Sequence, residues 1–280
     1  MLIEHGADVS AKGGCGKTPL RQASKYGRVK VVRLLLERGA DFEARDWEGN
    51  TPLHLASKEG QVEAAHILIE HGADIQAQSE YRSTPLHLAL IWGDIDEDHV
   101  PIERGAAQDG NGDTPLYLAS KYGHMDIAHI LIEQGIDVSA RDKHESTPLH
   151  VASKKGHLNT AHTLIDRGAD FSAQDKLGYT PLHLASQEGH AKVAHMLIER
   201  GADVSAQGRD RKTPLHMTTQ PFWATPQQCA DVARVLLEHG ANITAQDNNG
   251  LTPLDLTSKD ESLGEVVHVL IQHGAGLVPR

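Results

Sequence analysis

The sequence predicts an all-α solenoid, a single array of stacked helix pairs joined by short β-hairpin loops, and three observations predict it. The pair Thr-Pro recurs at Thr18, Thr51, Thr84, Thr114, Thr147, Thr180, Thr213 and Thr252, with spacings of 33, 33, 30, 33, 33, 33 and 39 residues. A period of that length marks a stacked array. Glycines keep the same beat: Gly27, Gly60, Gly93, Gly123, Gly156 and Gly189 each stand nine residues after a Thr of the series. Finally, only 4% of the 280 residues are aromatic and the mean hydropathy is -0.40. That is thin for one compact core, but a solenoid buries Leu, Ile, Val and Ala between neighbouring units.

Each element follows from local chemistry. In Thr51-Pro52-Leu53-His54-Leu55-Ala56-Ser57 the Thr hydroxyl caps a helix N-terminus, and Pro occupies the first helical position, where no N–H is needed. The helix ends after about two turns at Gly60. A second helix spans Val62 to Glu70 and closes at Gly72, and the polar run from Ala73 to Ser83 is a turn-rich hairpin leading to the next Thr-Pro. Met1-Leu2-Ile3-Glu4-His5-Gly6 copies the end of such a second helix, so residues 1–12 form a partial unit. Units follow at 13–45, 46–78, 79–108, 109–141, 142–174, 175–207, 208–246 and 247–276. Leu277-Val278-Pro279-Arg280 resembles the remnant of a thrombin-cleavable tag and is set aside. A start in mid-unit together with such a tail points to a piece of a longer protein.

The pattern Asp46-x-x-Gly49-x-Thr51-Pro52-Leu53-His54-Leu55-Ala56, followed by Leu68-Ile69-Glu70-x-Gly72-Ala73-Asp74, resembles the ankyrin repeat and does so over almost the whole chain. The resemblance implies antiparallel helix pairs stacked side by side in a curved, elongated array, with hairpins projecting at right angles to the helices. Three departures stand out. The third unit carries Glu97-Asp98 and Pro101 inside its second helix and lacks three hairpin residues. Because an interior Pro costs about 3 kcal/mol, that helix is expected to be the weakest. The seventh unit gains six residues between its helices; Pro221 to Gln227 are expected to form an extended loop, with Phe222 and Trp223 folded against a neighbouring unit and partner contact as the alternative use of the two rings. The eighth gains one residue near Ser262-Leu263-Gly264. Toward the ends, Arg21 stands where His54 does, and Thr218 and Thr257 replace the small Ala56. Terminal units facing water and drift in a truncated chain each account for these changes.

Composition narrows the function. A net charge of -11 argues against nucleic-acid binding, which needs a basic footprint, and no apolar run approaches the ~20 residues of a membrane span. Cys15 and Cys229 form no Cys-x-x-Cys motif and no apolar signal run opens the chain, which points to an intracellular protein. Eighteen of the 19 histidines fall into four columns of the repeat: His54, His87, His150, His183 and His216 after Thr-Pro-Leu; His66, His99, His129, His162, His195 and His268 within the second helix; His124, His157 and His190 after the first Gly; His5, His71, His239 and His273 before the second. Column neighbours on stacked helices lie about 8–10 Å apart, too far to share a zinc whose nitrogens sit at about 2.0–2.1 Å. Structural hydrogen bonding is the expected role. Gly13-Gly14-Cys15-Gly16-Lys17-Thr18 ends like a phosphate-binding loop, but the Gly required five residues before Gly16 is Ala11. No catalytic constellation emerges, and neither a cofactor nor a metal is expected.

What the resemblance implies about contacts is more specific. Its variable positions, counted from each Thr, are -4, -3, -1, +7 and +8, and six of the eight Trp and Tyr residues occupy them: Tyr26, Trp47, Tyr81, Trp92, Tyr122 and Tyr179. Large amphipathic rings at exposed places are favoured anchors. Lys25, Lys58, Lys121, Lys154 and Lys155 form a basic row at +7 and +8, interrupted by Ile91 and Trp92, and would steer an acidic surface inward. The candidate partner-binding residues are therefore Tyr26, Trp47, Lys58, Tyr81, Ile91, Trp92, Lys121, Tyr122, Lys154, Lys155 and Tyr179. The expected function is non-enzymatic binding of a protein or peptide with an acidic surface by a monomeric array. The alternative is the regulatory or sensor region of a larger enzyme, channel or receptor.

Overall fold

The computed structural model describes residues 8–93, 107–257 and 261–274. Among them are fifteen α-helices and no strand. They pair within the predicted units as α1 (Pro19–Lys25) with α2 (Val29–Glu37), α3 (Pro52–Lys58) with α4 (Val62–Glu70), α5 (Pro85–Trp92), α6 (Pro115–Tyr122) with α7 (Met125–Glu133), α8 (Pro148–Lys155) with α9 (Leu158–Asp166), α10 (Pro181–Gln187) with α11 (Ala191–Glu199), α12 (Pro214–Met217) with α13 (Pro226–Glu238), and α14 (Pro253–Thr257) with α15 (Gly264–Gln272). The weak second helix expected around Glu97, Asp98 and Pro101 lies outside the described residues. The chain divides into two compact units, Met1–Tyr122 with Asp126–Asp137, and Gly123–Met125 with Val138–Arg280. In the first, α1, α3 and α5 pack in sequence and α2 packs on α4; in the second, α8, α10 and α12 form one row and α9, α11, α13 and α15 the other.

The Thr-Pro-Leu-His stretch closes a local circuit at the start of five of the first helices. In α3 the Thr51 N–H donates to His54 Nδ1 (3.2 Å), the Thr51 hydroxyl meets the same nitrogen at 2.9 Å, and His54 Nε2 donates to the Ser83 carbonyl of the next unit (3.0 Å). The ring is thus a neutral imidazole that caps its own helix and ties it to its neighbour. His87, His150, His183 and His216 repeat the arrangement onto the carbonyls of Asp113, Tyr179, Lys212 and Leu251 at 3.0–3.2 Å. All five rings are fully buried. Asp255 reproduces the capping half, accepting from the Thr252 N–H and hydroxyl.

Between the rows lies the core. Leu20, Leu35, Leu53 and Leu68 in the first unit, and Leu149, Leu164, Leu182, Leu197, Leu215 and Leu236 in the second, are fully buried, interleaved with small residues such as Ala56, Ala152 and Ala185 that let helices approach closely. Burying each Leu contributes about 1.5–3 kcal/mol.

The hairpins are tight turns rather than strand pairs. Each closes on two backbone bonds, such as Ser79 N–H to Ser83 O and Arg82 N–H to Ser79 O, both at 2.9 Å, and adjacent tips are linked by a further backbone bond, as from Glu80 N–H to Glu48 O (2.8 Å) and from Lys176 N–H to His144 O (2.9 Å). Arms this short leave no room for a ladder.

Two expectations about the ends and the insertion are corrected. Arg21, Thr218 and Thr257 do not open terminal units to water. Arg21 is buried, pairing with Asp46 and donating to Gly16 O at 2.6 Å. The Thr218 and Thr257 hydroxyls are buried too, each donating to a carbonyl three residues back (2.8 and 2.7 Å). In the seventh unit, Pro226 and Gln227 are helical. Thr225 caps α13, Gln228 completes the capping box, and Pro226 takes the first helical position. A Thr-Pro pair therefore starts the second helix here, as it starts first helices elsewhere, and the loop shrinks to residues 218–225.

Candidate partner-binding surface

Most of the predicted anchors stand out from their helices and turns. Trp47 is 77% exposed, Tyr81 67%, Trp92 66%, Tyr26 59% and Tyr122 42%, all in the first unit. Their positions follow from the local structure. Tyr26 is the C-cap of α1, Trp92 and Tyr122 are the last residues of α5 and α6, and Trp47 and Tyr81 sit in hairpin tips. At the end of a two-turn helix the side chain lies beyond the packed stripe, so a ring there has no neighbouring row to enter.

The lysine row lies against these rings. Lys25 Nζ is 5.6 Å from the Tyr26 centroid, Lys58 Nζ 5.6 Å from Trp92 and Lys121 Nζ 5.6 Å from Tyr122, within the ~6 Å reach of cation–π attraction. Acids partly compensate it: Lys25 is 3.8 Å from Glu59, and Lys121 3.8 Å from Asp113. Between α1 and the following hairpin a cleft of about 450 Å³ opens, walled by Tyr26 and Trp47 with Lys25 and Arg21 beside them. That volume falls within the ~300–1,000 Å³ of ordinary ligand sites.

The remaining predicted residues are placed differently. Ile91 is half-buried on α5. Tyr179 is half-buried, its ring tilted over His183 at 5.4 Å and its carbonyl accepting from His150. Burial, followed by Asp210 and Asp175, raises its phenol above the usual range. Lys154 and Lys155 belong to the second unit, where Lys154 Nζ lies 5.9 Å from the Phe222 ring.

Phe222 and Trp223 depart from the expected placement. Instead of folding against a neighbour they are 67% and 87% exposed. The loop around them is held by polar bonds at its start, from Gln187 Nε2 to Gln220 O (3.2 Å) and from Lys212 Nζ to Gln220 Oε1 (2.7 Å). At its end Ala224 and Gln228 press on Gly189, where an added Cβ would come within 2.8 and 2.7 Å of theirs. Both ends are thus held at and just beyond the C-terminal end of α10, and the two rings between them face solvent. The six-residue insertion was the available signal; its direction was not.

The histidine columns separate by burial. The Thr-Pro-Leu-His rings are internal, and burial lowers their affinity for protons, to about 4 for His54 and His183, against the opposing bonds to Ser83 O and Lys212 O. The second-helix column, at its described members His66, His129, His162, His195 and His268, faces solvent. His129, His162 and His195 meet Glu133, Asp166 and Glu199 one turn on at 3.3, 2.9 and 3.4 Å, all about half exposed. Exposed pairs of this kind contribute little to stability. Among the described residues no three His, Cys, Asp or Glu side chains converge as a metal site. No helix there is long and apolar enough to cross a membrane. Cys229 is buried, and burial, with Glu188 adding to it, pushes its thiol up to about 11, which keeps it protonated and a poor nucleophile.

Comparison with known proteins agrees with this geometry. A family model described as ankyrin repeats (3 copies) matches residues 1–79, 44–102, 78–142, 95–175 and 142–208, and one described as ankyrin repeat matches residues 210–248. No curated protein matches the chain. Ankyrin repeats are in general protein–protein interaction modules. With the repeat matched over most of its length and the helix pairs, caps and hairpins in register with it, the chain belongs to the ankyrin-repeat family.

Proposed function

We propose that this chain is a non-enzymatic, intracellular recognition module that holds a partner protein through hairpin tips and the ends of its first helices. One observation carries the reading: five rings of the first unit, Tyr26, Trp47, Tyr81, Trp92 and Tyr122, are exposed at recurring repeat positions while Leu20, Leu53, Leu86 and Leu116 of the same first helices are fully buried. Rings of this kind bury large area at low conformational cost, and truncating one at the centre of an interface commonly costs about 2 kcal/mol or more. Lys58 and Lys121 beside Trp92 and Tyr122, with Ile91 on the same helix, favour a partner that brings acidic and apolar groups together. Lys154, Lys155 and Tyr179 extend the same repeat positions into the second unit.

The test is affinity capture from the source cell with the wild-type chain and with Trp92→Ala/Tyr122→Ala, followed by titration of the captured partner. The double variant should keep its circular dichroism and unfolding midpoint and lose at least tenfold in affinity, equivalent to about 1.4 kcal/mol. Unchanged affinity in the double variant would place the contact elsewhere.

A further inference from the structure

The loop of residues 218–225 has the features of a docking finger. Phe222 and Trp223 are among the most exposed apolar side chains of the described residues, yet the backbone that carries them is seated at both ends. Gln220 is bonded to Gln187 and Lys212, and the Thr219 hydroxyl donates to His216 O at 2.8 Å. Thr225 caps α13 and Ala224 lies on Gly189, whose φ of +72° and close neighbours leave no room for any side chain. The tip is thus presented in advance, so a partner meets it without the cost of ordering a loop.

Its surroundings state what kind of partner fits. Lys154 Nζ lies 5.9 Å from the Phe222 ring, Lys155 is the next residue and is exposed, and Lys212 reaches Gln220 at the loop's base. The acid among them, Glu188, is 7% exposed and faces Lys154 and Lys155 together. Lys154 beside the ring, Lys155 next to it and Lys212 at the base thus stand against the buried Glu188 and against Asp231, which accepts from Gln227 at the loop's other end and is paired with Arg234, so the side of the tip that carries Lys154 is positive on a chain whose net charge is -11.

We propose that Phe222 and Trp223 bind a peptide segment of the partner in which a bulky apolar side chain is flanked by carboxylates, the apolar group packing on the two rings and the carboxylates meeting Lys154 and Lys155. This rests on the reading of the chain as a protein-binding module, and adds to it a second contact point with a defined chemistry.

The chain has three tryptophans, Trp47, Trp92 and Trp223, so a protein labelled with 15N at the indole nitrogens reports both surfaces in one spectrum. Trp223→Phe assigns the loop signal. The probes are the acetylated, amidated peptide Glu-Glu-Leu-Phe-Glu-Glu, its counterpart with Lys for every Glu, its counterpart with Ser for Leu and Phe, and vesicles of phosphatidylcholine with phosphatidylserine.

The first peptide is expected to shift the Trp223 signal saturably. Its affinity should fall at least tenfold on Lys154→Glu/Lys155→Glu, on replacement by the Ser peptide, and on raising the salt to about 1 M, where charges are screened beyond about 3 Å. Movement of Trp47 and Trp92 with Trp223 still would overturn the finger and leave the first-unit surface standing. An equal response to the Lys peptide would overturn the charge assignment. A Trp223 response to the vesicles and to no peptide would make the loop a lipid contact. If no signal moved, the acidic-partner reading would fail at both surfaces.

Discussion

Acidification should unfold this protein through its buried imidazoles, and the size of the effect follows from the circuit they form. His54 and His183 are fully buried and neutral, each accepting at Nδ1 from a Thr N–H and donating at Nε2 to a carbonyl. Burial holds both at about 4, below the ordinary 6.5. His87, His150 and His216 are lowered in the same direction, burial again being the first cause. Because the folded pKa is depressed, the unfolded chain binds more protons between pH 6.5 and 4. Stability is therefore complete above pH 6.5 and is lost as pH falls toward 4, where the native rings also protonate and the loss levels off. Each pKa unit corresponds to about 1.4 kcal/mol. At pH 5 each of these two rings has thus forfeited roughly 2 kcal/mol, and the pair roughly 4 kcal/mol, a large part of the ~5–15 kcal/mol of a typical domain.

Urea unfolding at pH 7.5, 6.0 and 5.0, with wild type and His183→Gln, measures this directly. The wild-type free energy should fall steeply below pH 6.5. The variant should be less stable at pH 7.5 but lose about 1.4 kcal/mol less per pH unit between pH 6 and 5, since one titrating ring is gone. Histidine Hε1 shifts followed by NMR should show His54 and His183 still neutral at pH 5. Native-state values near 6.5, or identical pH slopes for the two proteins, would refute the argument that burial outweighs the carbonyl bond.

Two further outcomes follow from the same geometry. Gly189→Ala should cost about 1–2 kcal/mol for the left-handed backbone alone, and more from the Gln228 and Ala224 contacts, read as a drop in thermal midpoint; an unchanged midpoint would mean the loop end is not seated on α10. His162→Ala, by contrast, removes only a half-exposed ring from its contacts with Asp166 and Arg200, and the urea midpoint at pH 7.5 should stay where it is; a fall comparable to that of His183→Gln would place His162 in the core.

What the sequence determined by itself is whatever depends on a few adjacent residues. Thr51-Pro52 starts a helix because the hydroxyl cap and the missing proline N–H are both satisfied within one turn, and the same logic reads correctly at every Thr-Pro of the series. The same logic holds at Thr225-Pro226, where the proline takes the first position of α13 behind its Thr cap instead of prolonging the loop. The exposure of Trp47, Tyr81 and Trp92 was also legible, because their offset from the nearest Thr places them beyond the buried stripe. Tyr179 shows where this stops: its offset is equally favourable, yet His183 lies under its ring. The two histidine columns look alike as spacings, and only packing puts His183 wholly inside and leaves His162 half in water. The loop is the clearest case. Whether Phe222 and Trp223 are covered depends on the space between α10 and α13, and that space is closed by Gly189, Ala224 and Gln228 meeting across 39 residues of chain. Local preferences act over single turns, whereas the free volume available to a ring is set by backbones distant in sequence, and so it is decided only when the helices pack.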